Sequence, residues 1–245
     1  MNVAIMGSGD MGSAVAKSLE SHDINTLTCL AGRSQRSQEL AHSAGMTIVD
    51  DLSSLVASAE IFLSIMPPAA ALKFAEKTCP IIAASGKDVL FVDCNAVSPA
   101  TVGEIAAVAS DHKVRFQDVG IIGPAPRQGR SPVRFYTSGP WIGVVEKIST
   151  ELIDVRPLGE DIGRASAIKM VYASLTKGTH ALRAAALIAG DELGVGAEIR
   201  AEWQQSLPDV DRAMEGRIPI LAADSARWTG EMREIAETYA SAGIT

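Results

Sequence analysis

The stretch that decides the fold is residues 2–12, NVAIMGSGDMG. Its apolar start is short and ends at a glycine, which is typical of a buried strand, and residues 13–21 after it predict a helix. Between strand and helix, the first glycine allows a tight turn, the second lets the backbone approach a pyrophosphate, and the third lets helix and strand pack closely. The alternative is a tight turn that binds nothing. We therefore predict a dinucleotide-binding turn formed by Gly7, Ser8, Gly9, Asp10, Met11 and Gly12.

A second predicted strand, residues 24–31, leads to the residues that bear on the choice of cofactor. In an NAD-binding unit an Asp or Glu follows this strand and holds the ribose hydroxyls. Here the chain has Arg33, Ser34 and Arg36 instead. Because an arginine can pair with a phosphate or stack on adenine, the sequence favours NADP over NAD. The alternative is that both arginines are only solvated.

Strands and helices alternate through the rest of residues 1–158. The further predicted strands are 47–49, 60–65, 87–94, 114–119, 135–137 and 152–155, with helices over 33–44, 51–58, 69–84, 99–110 and 140–149. This alternation predicts an α/β Rossmann domain with a doubly wound, mainly parallel sheet. Met66 and Pro67 interrupt the chain at the carboxyl end of a strand. We expect them beside the cofactor, since α/β sheets bind ligands at that edge.

Residues 161–193, DIGRASAIKMVYASLTKGTHALRAAALIAGDEL, predict one long helix of roughly nine turns. Asp161 would cap its start and Gly194 would end it. Apolar residues surround almost the whole helix, which is typical of a buried one. Lys169 is therefore the unusual residue, because a lysine in such a helix is costly unless something uses or pairs it. The alternative is that its side chain reaches the surface.

Residues 159–245 predict a small all-α C-terminal domain, with the long helix lying between the two domains. Shorter helices are predicted over 197–207, 209–215 and 226–242. So little protein cannot cover a helix that is apolar on all sides, and we expect a second copy to cover it in a homodimer. The ligand site would then lie in the cleft between the domains.

Composition excludes several classes of function. The 245 residues carry a formal net charge of −7 without a basic cluster, which argues against nucleic-acid and membrane partners. The predicted first strand starts at the beginning of the chain, so we expect no signal peptide. Three single cysteines in apolar segments fit a reducing cytoplasm better than disulfides or a metal site. We expect a cytoplasmic protein whose partners are a small-molecule substrate and a second copy.

The order of these features resembles the β-hydroxyacid dehydrogenase superfamily, which includes 3-hydroxyisobutyrate and 6-phosphogluconate dehydrogenases. The closer similarity is to a branch of NAD(P)-dependent oxidoreductases with a 6-phosphogluconate dehydrogenase-like C-terminal domain. The segments that carry it are VDCNAVSPATV at 92–102, DVGIIGPAP at 118–126, GRASAIKMVYASLTKGTHAL at 163–182 and ARWTGEMREIAETYASAGI at 226–244. The resemblance implies hydride transfer between the nicotinamide and a small hydroxyacid, or its keto or aldehyde form.

The resemblance also implies roles for single residues. Lys169 matches the family's general acid/base, and burial in an apolar helix would lower its pKa towards the operating pH. Asn95 and Ala96 stand where the family has a serine and a threonine near substrate and nicotinamide, and Asn95 can still form hydrogen bonds. Gly123 belongs to the substrate loop, and Arg127 after it is a candidate for holding a substrate carboxylate.

Two departures from the family lie at substrate-facing positions. The Ser-Gly-Gly of the substrate loop becomes Ile121-Ile122-Gly123, and the asparagine four residues after the lysine is Ala173. Tyr172, beside it, is a second candidate proton donor. Two alternatives therefore stay open: an imine reductase of the same superfamily, which typically has Asp or Tyr in place of Lys169, and a protein that senses NADP(H) without turnover.

Overall fold

The computed structural model describes residues 1–244, without the side chains at positions 220, 222–224, 226 and 227. The strands are β1 (Asn2–Met6), β2 (Asn25–Cys29), β3 (Thr47–Val49), β4 (Ile61–Ser64), β5 (Leu90–Asp93), β6 (Arg115–Ile122), β7 (Val133–Ser138) and β8 (Ile153–Pro157). The helices are α1 (Asp10–Glu20), α2 (Gln35–Ser43), α3 (Leu52–Ser58), α4 (Pro68–Ser85), α5 (Pro99–Asp111), α6 (Ile142–Val145), α7 (Arg164–Glu192), α8 (Gly196–Ser206) and α9 (Pro208–Ser241), with a 3-10 turn at Glu146–Ile148.

The strands form one sheet in the order β3-β2-β1-β4-β5-β6-β7-β8. Its pairings are parallel except that between β6 and β7, which is antiparallel. This confirms the predicted Rossmann architecture with a mainly parallel sheet. Because β1, β2, β4, β5 and β6 run in the same direction, their carboxyl ends meet at one edge, where α/β sheets bind ligands.

Two hydrophobic clusters cover the two faces of the sheet, with helices α3, α4 and α5 on one side and α1, α2 and α6 on the other. Strands β4 and β5 are buried along their whole length, as expected of central parallel strands with both faces covered. On one face, Phe62 stacks on Phe91, which stacks in turn on Phe116. The helices of this sandwich leave the carboxyl edge of the sheet to the loops and to the C-terminal helices.

The C-terminal helices differ from the prediction in one respect. We predicted separate helices over 209–215 and 226–242, but α9 is one helix that runs from Pro208 to Ser241. Pro219 lies inside it, so the proline did not end the helix, although it removes a backbone hydrogen bond there. None of the described helices has both the length and the hydropathy that a bilayer-spanning segment needs.

Helix α9 returns to the sheet and packs against α7, α5 and α4. Its Glu234 carboxylate accepts hydrogen bonds from the Ser98 N–H and the Thr101 hydroxyl, both at 2.8 Å, at the start of α5. The end of the chain is thus attached to the same edge that carries the strand-end loops. Strand β8 ends at Pro157 and α7 begins at Arg164, and the domain boundary at 158/159 stays a prediction.

Candidate active site

The turn between β1 and α1 needs two of its glycines for steric reasons. Gly7 has a φ of 109°, and a Cβ there would meet the Ile65 carbonyl oxygen at 1.8 Å. A Cβ on Gly12 would meet the Gly7 carbonyl oxygen at 2.1 Å. No atom of the described residues lies within 4 Å of the Cβ position of Gly9, so the backbone there faces open space. This is the arrangement in which a pyrophosphate can approach the middle glycine.

The same turn contains polar groups that lack partners within the described residues. The Ser8 hydroxyl is buried without a hydrogen bond, and no side chain caps the first turn of α1. Met11 packs against the core beneath the turn. A phosphate oxygen would satisfy the hydroxyl and the free N–H groups at the helix start. The residues of the turn therefore fit the pyrophosphate of a dinucleotide.

The loop after β2 carries Arg33, Ser34 and Arg36. The Ser34 hydroxyl caps α2 by accepting a hydrogen bond from the Ser37 N–H at 3.3 Å. Arg36 forms an ion pair with Asp10, with Nη2 and Oδ1 separated by 2.6 Å, and both side chains are largely exposed. An exposed pair of this kind contributes about 1 kcal/mol or less, so Arg36 can exchange Asp10 for a phosphate at little cost.

Asn95 joins the ends of β4 and β5. Its Oδ1 accepts a hydrogen bond from the Met66 N–H at 2.7 Å, and its Nδ2 donates to the Ser64 hydroxyl at 3.0 Å and to Asp93 at 2.5 Å. The residue is buried and both amide hydrogens are used. The amide thus holds the turn at Met66–Pro67 in place, and direct contact between Asn95 and a ligand stays a prediction.

Asp93 is a buried carboxyl group that sequence patterns did not single out. Burial raises its pKa to about 7, and the nearby carboxyl groups of Asp118 and Glu234 act in the same direction. Its two oxygens accept from the side chain and the backbone N–H of Asn95. Asp93 therefore fixes which way the Asn95 amide points, with the oxygen towards Met66.

Lys169 lies where α7 packs against β6. A Cβ on Gly120 would meet the Ala165 carbonyl oxygen at 2.2 Å and the Lys169 Cβ at 3.1 Å, so only glycine allows this approach. The lysine is partly exposed, and its ammonium has no hydrogen bond or ion pair within the described part of the chain. Burial lowers its pKa to about 8. A lysine with that pKa can both donate and accept a proton near neutral pH.

The start of α7 is not capped as predicted. The helix begins at Arg164 after Gly163, which has a φ of 97°, and no side chain at that position caps it. The carboxylate of Asp118 on β6, 45 positions earlier, accepts a hydrogen bond from the Gly163 N–H at 3.0 Å instead. The prediction that Asp161 caps the helix was wrong because the cap comes from a distant strand. Gly194 does follow the last turn, with a φ of 74°.

The structure gives the positions of the remaining predicted substrate residues, but none of the contacts described above tests their role. Gly123 follows β6 with a φ of 126°, and Arg127 is exposed in the loop beyond it. Tyr172 lies three residues after Lys169, and 46% of its surface is exposed. All three are accessible to a ligand, and their contact with a substrate stays a prediction.

A small apolar cluster occupies the positions where the resemblance suggested polar residues. Ala96 and Ala173 pack there with Met170, Ile235 and Tyr239. The Tyr239 hydroxyl lies 2.7 Å from the Ser174 hydroxyl, so the two share a hydrogen bond beside the cluster. Sequence patterns did not predict Tyr239, since α9 reaches this point only through tertiary packing.

Comparison with known proteins agrees with this geometry. Residues 2–144 match the family model of the NAD binding domain of 6-phosphogluconate dehydrogenase. Residues 191–245 match a second model, a domain of unknown function. An uncharacterized 28.5 kDa protein from Methanothermus fervidus is 27% identical over 201 residues, which is 81% of this chain and 74% of that protein.

Solved structures show the same fold. A conserved protein of unknown function, with structural similarity to 3-hydroxyacid dehydrogenases, is 26% identical with a TM-score of 0.72 over 98% of this chain and 90% of that one. The 3-hydroxyisobutyrate dehydrogenase of Salmonella typhimurium is 14% identical with a TM-score of 0.75 over 100% of this chain and 89% of that one. The chain therefore belongs to the 6-phosphogluconate dehydrogenase NAD-binding family, within the β-hydroxyacid dehydrogenase superfamily of NAD(P)-dependent oxidoreductases.

Proposed function

We propose that the protein is an NADP-dependent oxidoreductase that transfers hydride between the nicotinamide and a small hydroxyacid, or its keto or aldehyde form. Lys169 is the general acid/base in this proposal. The observation that carries it is the lysine itself, whose ammonium has no partner within the described residues and whose pKa is lowered to about 8 by burial. The lysine stands on a helix packed against the carboxyl half of β6, beside the ligand-binding edge of the sheet.

The task of Lys169 is to handle one proton. During oxidation the neutral amine accepts the proton of the substrate hydroxyl while hydride leaves the carbon, and during reduction the ammonium returns that proton to the carbonyl oxygen. The cofactor, when bound, supplies the hydride acceptor or donor. With a pKa about one unit above neutral, roughly one lysine in ten is in the amine form at pH 7, so both directions are accessible.

The cofactor-binding residues form three groups along the edge of the sheet. The turn at residues 7–12 would hold the pyrophosphate, and Arg33, Ser34 and Arg36 would hold the 2′-phosphate. The turn at Met66–Pro67, fixed by Asn95, would lie beside the nicotinamide. NADP is favoured over NAD because two arginines and a hydroxyl stand where NAD-binding units have an acid.

Fluorescence titration with NADPH and NADH tests the cofactor. We expect NADPH to bind more tightly, and the double change Arg33→Ala and Arg36→Ala to weaken NADPH by on the order of 10- to 100-fold while NADH changes little. Arg212→Ala, an exposed arginine at the start of α9, is the control. Tighter binding of NADH by the unchanged protein would contradict the interpretation of the two arginines.

A panel of hydroxyacids with NADP⁺, and of keto acids and aldehydes with NADPH, tests the activity. We expect Lys169→Met to lose on the order of 10²- to 10⁴-fold in kcat/KM while still binding NADPH. Lys147→Met, an exposed lysine after α6, is the matched control. Full activity in Lys169→Met would exclude the proposed role. Tight NADPH binding without turnover across the panel would favour the sensing alternative.

Reduction of a C=N bond is the second candidate, and Tyr172 is the observation that supports it. The residue is 46% exposed, and its position lies less than one helical turn from Lys169. The discriminating assay adds simple amines to the keto substrates in the presence of NADPH. Turnover that survives Lys169→Met and disappears in Tyr172→Phe would favour imine reduction with Tyr172 as proton donor.

A homodimer through the C-terminal helices is also part of the proposal. One face of α7 presents a stripe of apolar residues, which we call the α7 stripe: Val171, Leu175, Gly178, Leu182, Ala185, Ala189 and Leu193. All of them are exposed except Gly178, which is partly buried. Leu175 and Leu182 are 74% and 71% exposed. A continuous apolar stripe of this length is typical of a surface that a partner covers. A second copy supplies the same stripe and can cover it with two-fold symmetry.

A further inference from the structure

Strand β6 meets α7 through two residues on the same face. Asp118 and Gly120 are two apart on a strand, so their Cβ positions point to the same side. Both contact α7: Asp118 by hydrogen bonds and Gly120 by the close approach of Ala165. Val119 and Ile121 face the other way and belong to the hydrophobic cluster there. At these two positions the strand face therefore receives the helix, whereas Phe116, earlier on the same face, stacks on Phe91.

The Asp118 carboxylate accepts four hydrogen bonds. They come from the N–H groups of Gly163 at 3.0 Å and Ser166 at 3.1 Å, and from the hydroxyls of Ser166 at 2.8 Å and Ser138 at 3.0 Å. The Ser138 hydroxyl in turn accepts from the Ala165 N–H at 3.0 Å. Asp118 is fully buried. Three N–H groups at the start of α7, which its own side chains do not cap, are thus satisfied from the sheet.

The sign of the charge supports this arrangement. The start of a helix carries partial positive charge, and an ionised carboxylate placed there is stabilised. Burial raises the pKa of Asp118, while the donors from Ser166, Ser138 and Gly163 act against that rise. All four groups donate to the carboxylate, and the two N–H groups among them can only donate, so the ionised form with both oxygens accepting matches them best.

Lys169 follows Ser166 by three residues, which is about 4.5 Å along the helix axis. Any change in the position of Ser166 is therefore passed to Lys169 through less than one turn of hydrogen-bonded helix. The Cβ of Lys169 also lies 3.1 Å from the Cβ position of Gly120. Asp118 thus determines the position of α7 along β6, and Gly120 determines how closely the helix approaches the strand.

We propose that Asp118 is a positioning residue for Lys169: it fastens the first turn of α7 to β6 and so determines where the ammonium stands and how far it is withdrawn from water. This role rests on the proposed function of Lys169 as general acid/base. Asp118 itself is enclosed by the residues it accepts from, so it acts through the helix and does not touch the substrate.

The test measures the pKa of Lys169 by NMR in the full-length protein with ¹³C-methylated lysines, the signal being assigned by its loss in Lys169→Met. In Asp118→Ala we expect the pKa to rise by about one unit towards the value of a free lysine, because a loosened first turn lets water reach the ammonium. Glu20→Ala is the control. It removes a carboxylate that accepts two hydrogen bonds from Thr26, at the other half of the sheet, and should leave the pKa unchanged.

Asp118→Asn provides the second variant. It keeps the shape and one acceptor oxygen, so the fold is retained more readily, and a smaller rise in the Lys169 pKa is expected. An unchanged pKa in the folded variants would overturn the proposal, because Asp118 would then stabilise the fold without placing the lysine. A fall would overturn it too, since the ammonium would only have lost a nearby negative charge.

Activity separates failure of this inference from failure of the proposed function. If Lys169→Met keeps full activity, the general acid/base role of Lys169 is excluded. The pKa measurement still decides whether Asp118 positions the lysine. If Lys169→Met is inactive and the pKa of Lys169 is unchanged in Asp118→Ala, only the positioning role of Asp118 is excluded. When both hold, Asp118→Ala should lose up to about 100-fold in kcat with unchanged NADPH affinity, since a misplacement of about 1 Å costs that much.

Discussion

The first turns of α7 and its later turns lie in opposite environments. From Arg164 to Ala173 the helix is fastened to β6 by Asp118 and Gly120, and it carries a lysine whose charge is partly withdrawn from water. From Leu175 onward, the α7 stripe exposes leucines to solvent. The charged lysine is partly covered while the leucines are exposed, which is the reverse of what stability alone favours. This difference is what we propose for the two parts of the helix: proton transfer at the first turns and contact with a second copy at the later ones.

The largest expected effect concerns the later turns. Changing Leu175 and Leu182 together to glutamate should weaken self-association by on the order of 1,000-fold, because two buried leucines contribute about 1.5–3 kcal/mol each. Sedimentation over a range of concentrations measures this. Both side chains are more than two-thirds exposed in the single chain, so its fold should persist. Ile244→Glu, an exposed apolar residue outside α7, is the control, and a stable monomer in the unchanged protein would exclude the dimer.

The next effect concerns the fastened turns. A Cβ at Gly120 would lie 2.2 Å from the Ala165 carbonyl oxygen. Gly120→Ala should therefore push α7 away from β6, at a cost of about 1–3 kcal/mol in the free energy of unfolding, and reduce turnover by on the order of 10-fold or more. Denaturant unfolding and the substrate panel measure the two effects. Gly143→Ala, in helix α6 where no described residue lies within 4 Å, should leave turnover unchanged and should not lower the free energy of unfolding. An unaffected Gly120→Ala would show that α7 can shift freely.

Lys169→Met should make the protein more stable at neutral pH. The lysine has a pKa of about 8 when folded and near 10.4 when unfolded, so between these values the unfolded chain binds more protons and stability rises with pH. The lysine thus costs stability at pH 7, by about 1–2 kcal/mol after allowance for its partial exposure. Lys169→Met should therefore raise the free energy of unfolding by that amount at pH 7. The difference between the variant and the unchanged protein should shrink above pH 10.

Urea unfolding at pH 7 and pH 10 measures this, with Lys147→Met as the exposed counterpart. Equal stability of the unchanged protein and Lys169→Met at both pH values would mean that the ammonium is fully hydrated. The first turns of α7 would then not differ from the later turns by a desolvated charge.

The smallest expected effect is on the α7 stripe. No described atom of the single chain lies within 4 Å of the Cβ position of Gly178. Gly178→Ala should therefore stabilise the isolated chain by about 0.5–1 kcal/mol through helix propensity. Gly103→Ala on α5, equally open, should give the same gain. If Gly178→Ala also weakens self-association and Gly103→Ala does not, the partner packs closely against this part of the stripe, whereas equal behaviour would place the partner elsewhere.

Much of the proposed cofactor site could be predicted because the features that define it lie close together in the sequence. The spacing of Gly7, Gly9 and Gly12 predicts the geometry of one turn. The structure shows that a Cβ at Gly7 or Gly12 would clash with the backbone. The parallel sheet followed from the alternation of strands and helices, which places the loops at one edge. Lys169 was noticeable because a lysine among apolar neighbours near the helix start is costly unless something uses or pairs it.

The substrate side could not be predicted in the same way. Asn95 was expected to face a ligand, but its amide is used between β4 and β5. Tyr239 reaches Ser174 from 65 positions away. No periodicity connects residues so far apart in the chain, and only the packing of α9 on α7 brings them together.

The sequence by itself determined the nucleotide-binding turn, the α/β alternation and the long helix with a lysine near its start, because each depends on neighbours within a few residues. The tertiary structure decided where that helix begins, which carboxylate caps it and which of its faces is left uncovered. Asp118 shows the reason: an N-cap needs only an acceptor at the right point in space, and a strand 45 positions away supplies it as well as a neighbour does.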